Sequence, residues 1–244
     1  MKYIVSISGG KDSTACLLYA LNSFSKDDVI PVFCDTEWEH KYTYEYLEYL
    51  EKKLNISIIR LKSLGFVELS KKKKFMPNRV MRYCTLELKI KPFNKYLYEN
   101  FIIKNIDFIV IKGVRREESQ ARKNTPVFSE TKGIYNRKSF IVKSLYPIVD
   151  WTTKEVFEYL IQNNIKLNKL YLKGFSRVGC YPCIYATKWE LENLEDEYIK
   201  RIRKLENQVS NILGKNVTFF SPDRDKFLKR NQKKLFKEFE DAII

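Results

Sequence analysis

Six consecutive residues, Ser8-Gly9-Gly10-Lys11-Asp12-Ser13, have the types and order needed to grip phosphate. Glycines let the backbone approach a ligand, successive N–H groups face it, the hydroxyls of Ser8 and Ser13 add donors, and Lys11 adds positive charge. The spacing is neither that of a Walker loop nor that of a dinucleotide-binding turn. A second chemical group is Cys180-Tyr181-Pro182-Cys183, whose C-x-x-C spacing places two thiolates on one metal or forms a redox thiol pair. The chain has one histidine, His40, which argues against a Ser-His-Asp hydrolase and against a histidine-rich metal centre. Five cysteines, an odd number, argue against a disulfide framework, and Cys16 lies among apolar helix residues as a core position.

The elements that must position these residues are legible as alternating patterns. β-rich runs at Tyr3 to Ser8, Val29 to Cys34, Ile56 to Leu61 and Asp107 to Lys112 alternate with helical patterns, the signature of a parallel sheet flanked by helices. Ser13 to Ser23 and Tyr42 to Leu54 carry apolar residues at helical spacing. From Thr85 to Ile103 a helical pattern is interrupted by Pro92, read as the start of a second helix. A strand-like Phe140 to Lys143 leads to Thr152-Thr153-Lys154-Glu155, a capping box opening a helix to about Gln162. Residues 163 to 183 read as loop and 188 to 213 as helix, and Ser221-Pro222-Asp223 opens a last helix. The phosphate-gripping residues therefore fall between the first strand and the first helix.

With 244 residues, 44% of them hydrophobic, the chain can bury its own core, and no apolar run is long enough to span a bilayer. The expectation is a cytoplasmic protein with a nucleotide-binding domain over residues 1–185 and a helical C-terminal extension over 186–244. Net charge is +15, and it is concentrated: residues 60 to 95 carry +9 and residues 112 to 143 carry +6. Such windows suit a polyanion, either a nucleotide's phosphates or a nucleic-acid backbone, although the run Lys71 to Lys74 alone reads equally well as a solvated face.

Ser8 to Ser13 after a first strand resembles the signature of the PP-loop ATP pyrophosphatases. The downstream landmarks narrow the resemblance to the phosphoadenosine phosphosulfate (PAPS) reductase-like family. They are Asp35-Thr36, Cys84-Thr85 with Leu88-Lys89-Ile90-Lys91-Pro92, Gly113-Val114-Arg115-Arg116-Glu117-Glu118-Ser119 with Arg122, Pro147-Ile148 with Asp150-Trp151, and Gly179-Cys180 with Cys183. The resemblance implies a twisted parallel sheet flanked by helices, of the adenine nucleotide alpha hydrolase type. It also implies an adenine-nucleotide site in which Ser8, Gly9, Gly10, Lys11, Asp12 and Ser13 hold phosphates, with Lys11, Asp12 and Ser13 at the reacting centre. Asp35 and Thr36 would lie near the adenosine, and Gly113, Arg115, Arg116 and Arg122 would complete the anion site, unless the arginines pair with Glu117 and Glu118. Cys84 with Cys180 and Cys183 would make a three-cysteine metal site, compatible with a 4Fe-4S cluster or with zinc completed by His40.

The family includes enzymes that cleave ATP between the α- and β-phosphates to adenylate a substrate, and enzymes that reduce a sulfonucleotide. The reductases use a C-terminal cysteine as nucleophile, whereas residues 184 to 244 contain neither Cys nor His. The leading expectation is therefore ATP cleavage to AMP and pyrophosphate, with Mg²⁺, serving sulfur transfer to a nucleic acid such as tRNA or DNA. A sulfonucleotide reductase with an external thiol donor and a catalytically silent nucleotide- or nucleic-acid-binding subunit stay open, as do a sulfur-donor protein and a second copy of the chain as partners.

Overall fold

In the computed structural model, residues 1–229 are described. A six-stranded sheet has the order β3-β2-β1-β4-β6-β5, with β1 Lys2–Ile7, β2 Val29–Cys34, β3 Ile59–Leu61, β4 Phe108–Ile111, β5 Phe128–Tyr135 and β6 Lys138–Leu145. All neighbours run parallel except β5, which pairs antiparallel with β6 as the last strand of the sheet. Period-two alternation sends side chains to opposite faces. Ile4 thus joins one apolar cluster while Val5 and Ile7 join another.

The face holding Val5 and Ile7 is covered by α1 (Lys11–Ser23), α2 (Lys41–Leu54) and, later in the chain, α6 (Thr153–Gln162). Thr152 and Glu155 cap α6 reciprocally, as the sequence predicts. The opposite face packs on Leu97 and Phe101 of a helical run over 83–102. That run contains α4 (Tyr83–Thr85) and α5 (Lys91–Leu97), and it does not restart at Pro92. Helical dihedrals continue from Leu86 through Ile103, with a π-helical stretch at Leu86–Ile90 immediately before the proline. A wider turn removes the hydrogen bond that proline could not make, so the helix passes through.

A third core lies under the C-terminal helices. α3 (Phe66–Lys73), α7 (Lys169–Leu172), α8 (Lys188–Glu192) and α9 (Asp196–Leu213) surround Trp38, Phe66, Leu170, Leu191, Ile202, Leu205 and Phe219. Residues on both sides of position 185 therefore share one core. The expected helix over 188 to 213 is two helices, and the expected loop over 163 to 183 contains α7. No helix among the described residues is long and apolar enough to cross a membrane.

Candidate active site

Strand β1 ends at Ile7, and the chain must turn at once into α1. Gly9 does so with φ +76°, and a Cβ there would stand 2.8 Å from Thr43 Cγ2, so conformation and space both demand glycine. Gly10 precedes α1 and no side chain caps the helix. Ser13 Oγ accepts from the Ser8 N–H at 3.1 Å and donates to the Gly10 carbonyl at 2.9 Å, which locks the loop. The Lys11 N–H donates to the Tyr171 hydroxyl at 2.8 Å. Burial pushes that phenol well above its usual pKa, so it stays protonated.

The charged members of the loop are organised by a buried arginine. Lys11 Nζ lies 2.7 Å from one oxygen of Asp12, and the other oxygen accepts from Arg115 Nε at 2.6 Å. Arg115 also donates to Glu117, to the Trp151 carbonyl at 3.2 Å and to Thr153 Oγ1 at 3.1 Å. Burial works against its charge, yet Asp12 and Glu117 outweigh it and raise the guanidinium's pKa. Gly113, just beyond β4, allows the close approach. A Cβ there would meet the Asp12 carbonyl carbon and oxygen at 2.7 Å and the Ser13 nitrogen at 2.9 Å.

Above this loop lies a cleft of about 560 Å³ at the carboxyl ends of β1 and β4, where the sheet's connections diverge to opposite sides. Ser8, Gly10, Lys11, Asp12, Ser13, Gly113 and Arg122 line it, together with Cys180 and Cys183. Arg122 pairs with Glu118. Arg116 borders no part of the cleft; it pairs with Asp150 and donates to the Thr125 carbonyl at 2.9 Å. Asp35 and Thr36 also stand outside it. Asp35 accepts from the Tyr44 hydroxyl at 2.8 Å, and Thr36 donates to Glu39 at 2.6 Å.

Cys180 Sγ lies 3.8 Å from both Thr36 Oγ1 and Glu39 Oε1, with Lys89 beside it, and burial pushes its thiol up to about 11 against the opposing pull of Lys89. Cys84 and Cys183 stand close enough to feel one another's charge. Among the described residues, no three or more Cys, His, Asp or Glu side chains gather closely enough to hold a metal ion. Nor is His40 disposed as a zinc ligand, since its Nδ1 accepts the Tyr42 N–H at 3.0 Å and caps α2. Tyr171, Lys112, Arg177 and Tyr185 line the cleft without any motif announcing them. Tyr171 reaches the loop from 160 residues away, a proximity that only the tertiary fold creates.

A glycine turn that opens a helix at the carboxyl ends of parallel strands, with a lysine at the cleft, makes an α/β fold suited to holding an anion. More narrowly, the chain belongs to the phosphoadenosine phosphosulfate reductase domain family, whose model matches residues 2–186. It is 34% identical over 207 residues to an uncharacterized protein of Methanocaldococcus jannaschii, covering 84% of this chain and 40% of that protein. It thus spans less than half the length of that relative. An uncharacterized 37.8 kDa protein of Escherichia phage 186 is 31% identical over 279 residues, covering 91% of this chain and 80% of the phage protein. The phosphoadenosine 5'-phosphosulfate reductase of Proteus mirabilis is 27% identical over 201 residues, 80% of this chain and 75% of the reductase. Among solved structures, the PAPS reductase of Candida auris matches with a TM-score of 0.54 at 17% identity, covering 75% of this chain and 83% of that one. The Candida glabrata FMN adenylyltransferase bound to FAD and pyrophosphate matches at 0.53 and 15% identity, covering 95% and 81%. These two establish the fold.

Proposed function

We propose that the protein is an ATP-cleaving PP-loop enzyme that adenylates an acceptor, in the service of sulfur transfer to a nucleic acid. The observation that carries this reading is the loop itself. Gly10, Lys11 and Ser13 at the start of α1 line one cleft at the sheet's switch point, and the left-handed Gly9 makes the turn just before them. An acceptor oxygen attacks the α-phosphorus of ATP, a new P–O bond forms, and the bond to the β-phosphate's bridging oxygen breaks. Pyrophosphate leaves with the electron pair of that bond and is held by the loop. Lys11 balances the charge that develops on the leaving group, and Arg115 keeps Asp12, and through it Lys11, in place. A sulfur nucleophile then displaces AMP from the adenylated acceptor.

Mg²⁺ would screen the phosphates when it arrives with ATP. Asp12 does not suit it as a ligand, because Lys11 and Arg115 already take both its oxygens. The three cysteines do not form a ligand shell as placed.

A second reading, reduction of a sulfonucleotide, draws support from the Proteus mirabilis relative's name. Since 184 to 244 hold no cysteine, that reduction would draw on an external thiol donor. The reading is tested by Lys11→Ala, which is expected to slow ATP cleavage at least about tenfold, the size of one lost charge-stabilising contact, with the fold intact by circular dichroism. An unchanged rate would remove the loop from the chemistry.

A further inference from the structure

A second cleft, of about 1080 Å³, adjoins the nucleotide cleft and shares Lys11, Arg122, Tyr171, Arg177 and Tyr185 with it. Its far wall is apolar, built from Phe157 and Ile161 of α6 and from Leu167 and Leu172. Ile161 and Leu172 keep 36% and 38% of their surface uncovered although both belong to this wall. Apolar side chains left open around a concave surface mark a binding site.

The charge at the mouth narrows the ligand. Three glutamates line the cleft, and each is neutralised by a neighbour: Glu117 by Arg115, Glu118 by Arg122 and Glu158 by Lys154. Two arginines of the lining have no acidic partner. Arg82 donates only to the Tyr185 hydroxyl, at 3.0 Å, and Arg177 makes no hydrogen bond or ion pair among the described residues. Arg79, outside the cleft, joins Arg82 over the Tyr185 ring, each guanidinium 5.7 Å from its centre. Uncompensated cations therefore continue past the mouth. An apolar ligand would leave them unanswered, and a free anion would leave the walls uncovered. A heteroaromatic ring joined to a chain of phosphates answers both.

We propose that the larger cleft is the acceptor subsite and takes one everted base of a single-stranded nucleic acid, whose backbone phosphates run past Arg82, Arg79 and Arg177. The base stacks against the α6 wall, and the strand is brought up to Lys11, where the two clefts meet. The first basic window of the sequence then serves this ligand through Arg79 and Arg82, while Arg122 of the second is held by Glu118. This inference rests on the ATP-cleaving reading for its biological sense, while its test reads binding and stands apart from turnover.

The experiment measures binding of fluorescein-labelled single-stranded DNA and RNA oligonucleotides to the full chain by anisotropy, with unlabelled mononucleotides as competitors and a non-hydrolysable ATP analogue measured in parallel. Ile161→Asp and Arg82→Glu line the larger cleft alone, and each is expected to weaken oligonucleotide binding at least about fivefold, the scale of one lost stacked base or phosphate contact. Affinity for the ATP analogue is expected to stay within about twofold. Ile161→Ser, which removes the apolar surface without adding charge, provides the same readout if the aspartate variant does not fold. Unchanged oligonucleotide binding in all three variants would overturn the proposal. Competition by a mononucleotide as effective as by an oligonucleotide would overturn the strand as the ligand and assign the cleft to a small molecule.

Discussion

Gly113 shows how one residue outside the phosphate loop governs it. Its missing side chain lets the end of β4 touch the backbone of Asp12 and Ser13, with no flexible group between them to give way. Gly113→Ala is expected to cost about 1–3 kcal/mol in denaturant unfolding, the usual penalty of overpacking a tight contact, and to weaken ATP binding because the displaced backbone is the loop itself. An alanine variant with unchanged stability and affinity would contradict the contact. The sequence offered Gly113 as a site residue through the family pattern, and the structure gives it a different kind of importance, as a spacer. The same is true of Arg115. Its motif suggests a phosphate ligand, but its donors are already taken by Asp12, Glu117, Trp151 and Thr153, so it holds the loop's charges and does not face the cleft as a free cation. Which guanidinium is free depends on carboxylates brought in from elsewhere in the chain, and spacing along the sequence does not encode that.

At the scale of elements, the junction between α2 and α9 carries a titrating residue. His40 is fully buried among Tyr42, Tyr181 and Tyr198, accepts the Tyr42 N–H through Nδ1, and has its Nε2 3.6 Å from Glu195, too far for a hydrogen bond. Burial holds its pKa below the ordinary histidine value against the pull of Glu195, with Lys173 and Lys41 adding to the lowering. The unfolded chain therefore binds the proton first, and stability falls as pH drops below about 6.5, toward the folded value. Glu195, half-buried and held low by Lys173 against the opposing effect of burial, is lost only at more acidic pH and leaves this window to His40. Urea unfolding is expected to show a midpoint that declines between pH 7 and 5 in the native chain, with a flatter profile in His40→Asn, which keeps a capping side chain. Parallel pH profiles would contradict this. The central strands and the helices α1, α2 and α6 were legible because buried parallel strands and amphipathic helices write their periods into the sequence. Strand β5 was not, since Phe128–Tyr135 is an edge strand with mostly exposed residues and lacks a clear apolar alternation. Nor was the unbroken helix through Pro92, because a π-helical turn leaves no mark on hydrophobic spacing.

Across the whole molecule, distant parts of the chain converge on one end of the sheet. The phosphate loop comes from the first strand, Gly113 from the fourth, and Tyr171, Arg177, Cys180 and Cys183 from the segment between α6 and α8. An antiparallel bridge between Glu39 and Cys180, with the Tyr181 N–H donating to the Trp38 carbonyl at 2.7 Å, fastens that segment over the site. The glycine turn between β1 and α1 was readable from six adjacent residues, whereas this cover was not, because its contacts span more than 140 positions. The claim that this assembly cleaves ATP at the α-phosphate is tested most directly by incubating the protein with α-³²P-labelled ATP, Mg²⁺ and single-stranded nucleic acid and resolving the products. Label is expected in AMP or in an adenylated acceptor, with one pyrophosphate released for each ATP consumed; labelled ADP as the main product, with free phosphate, would rule out cleavage at the α-phosphate.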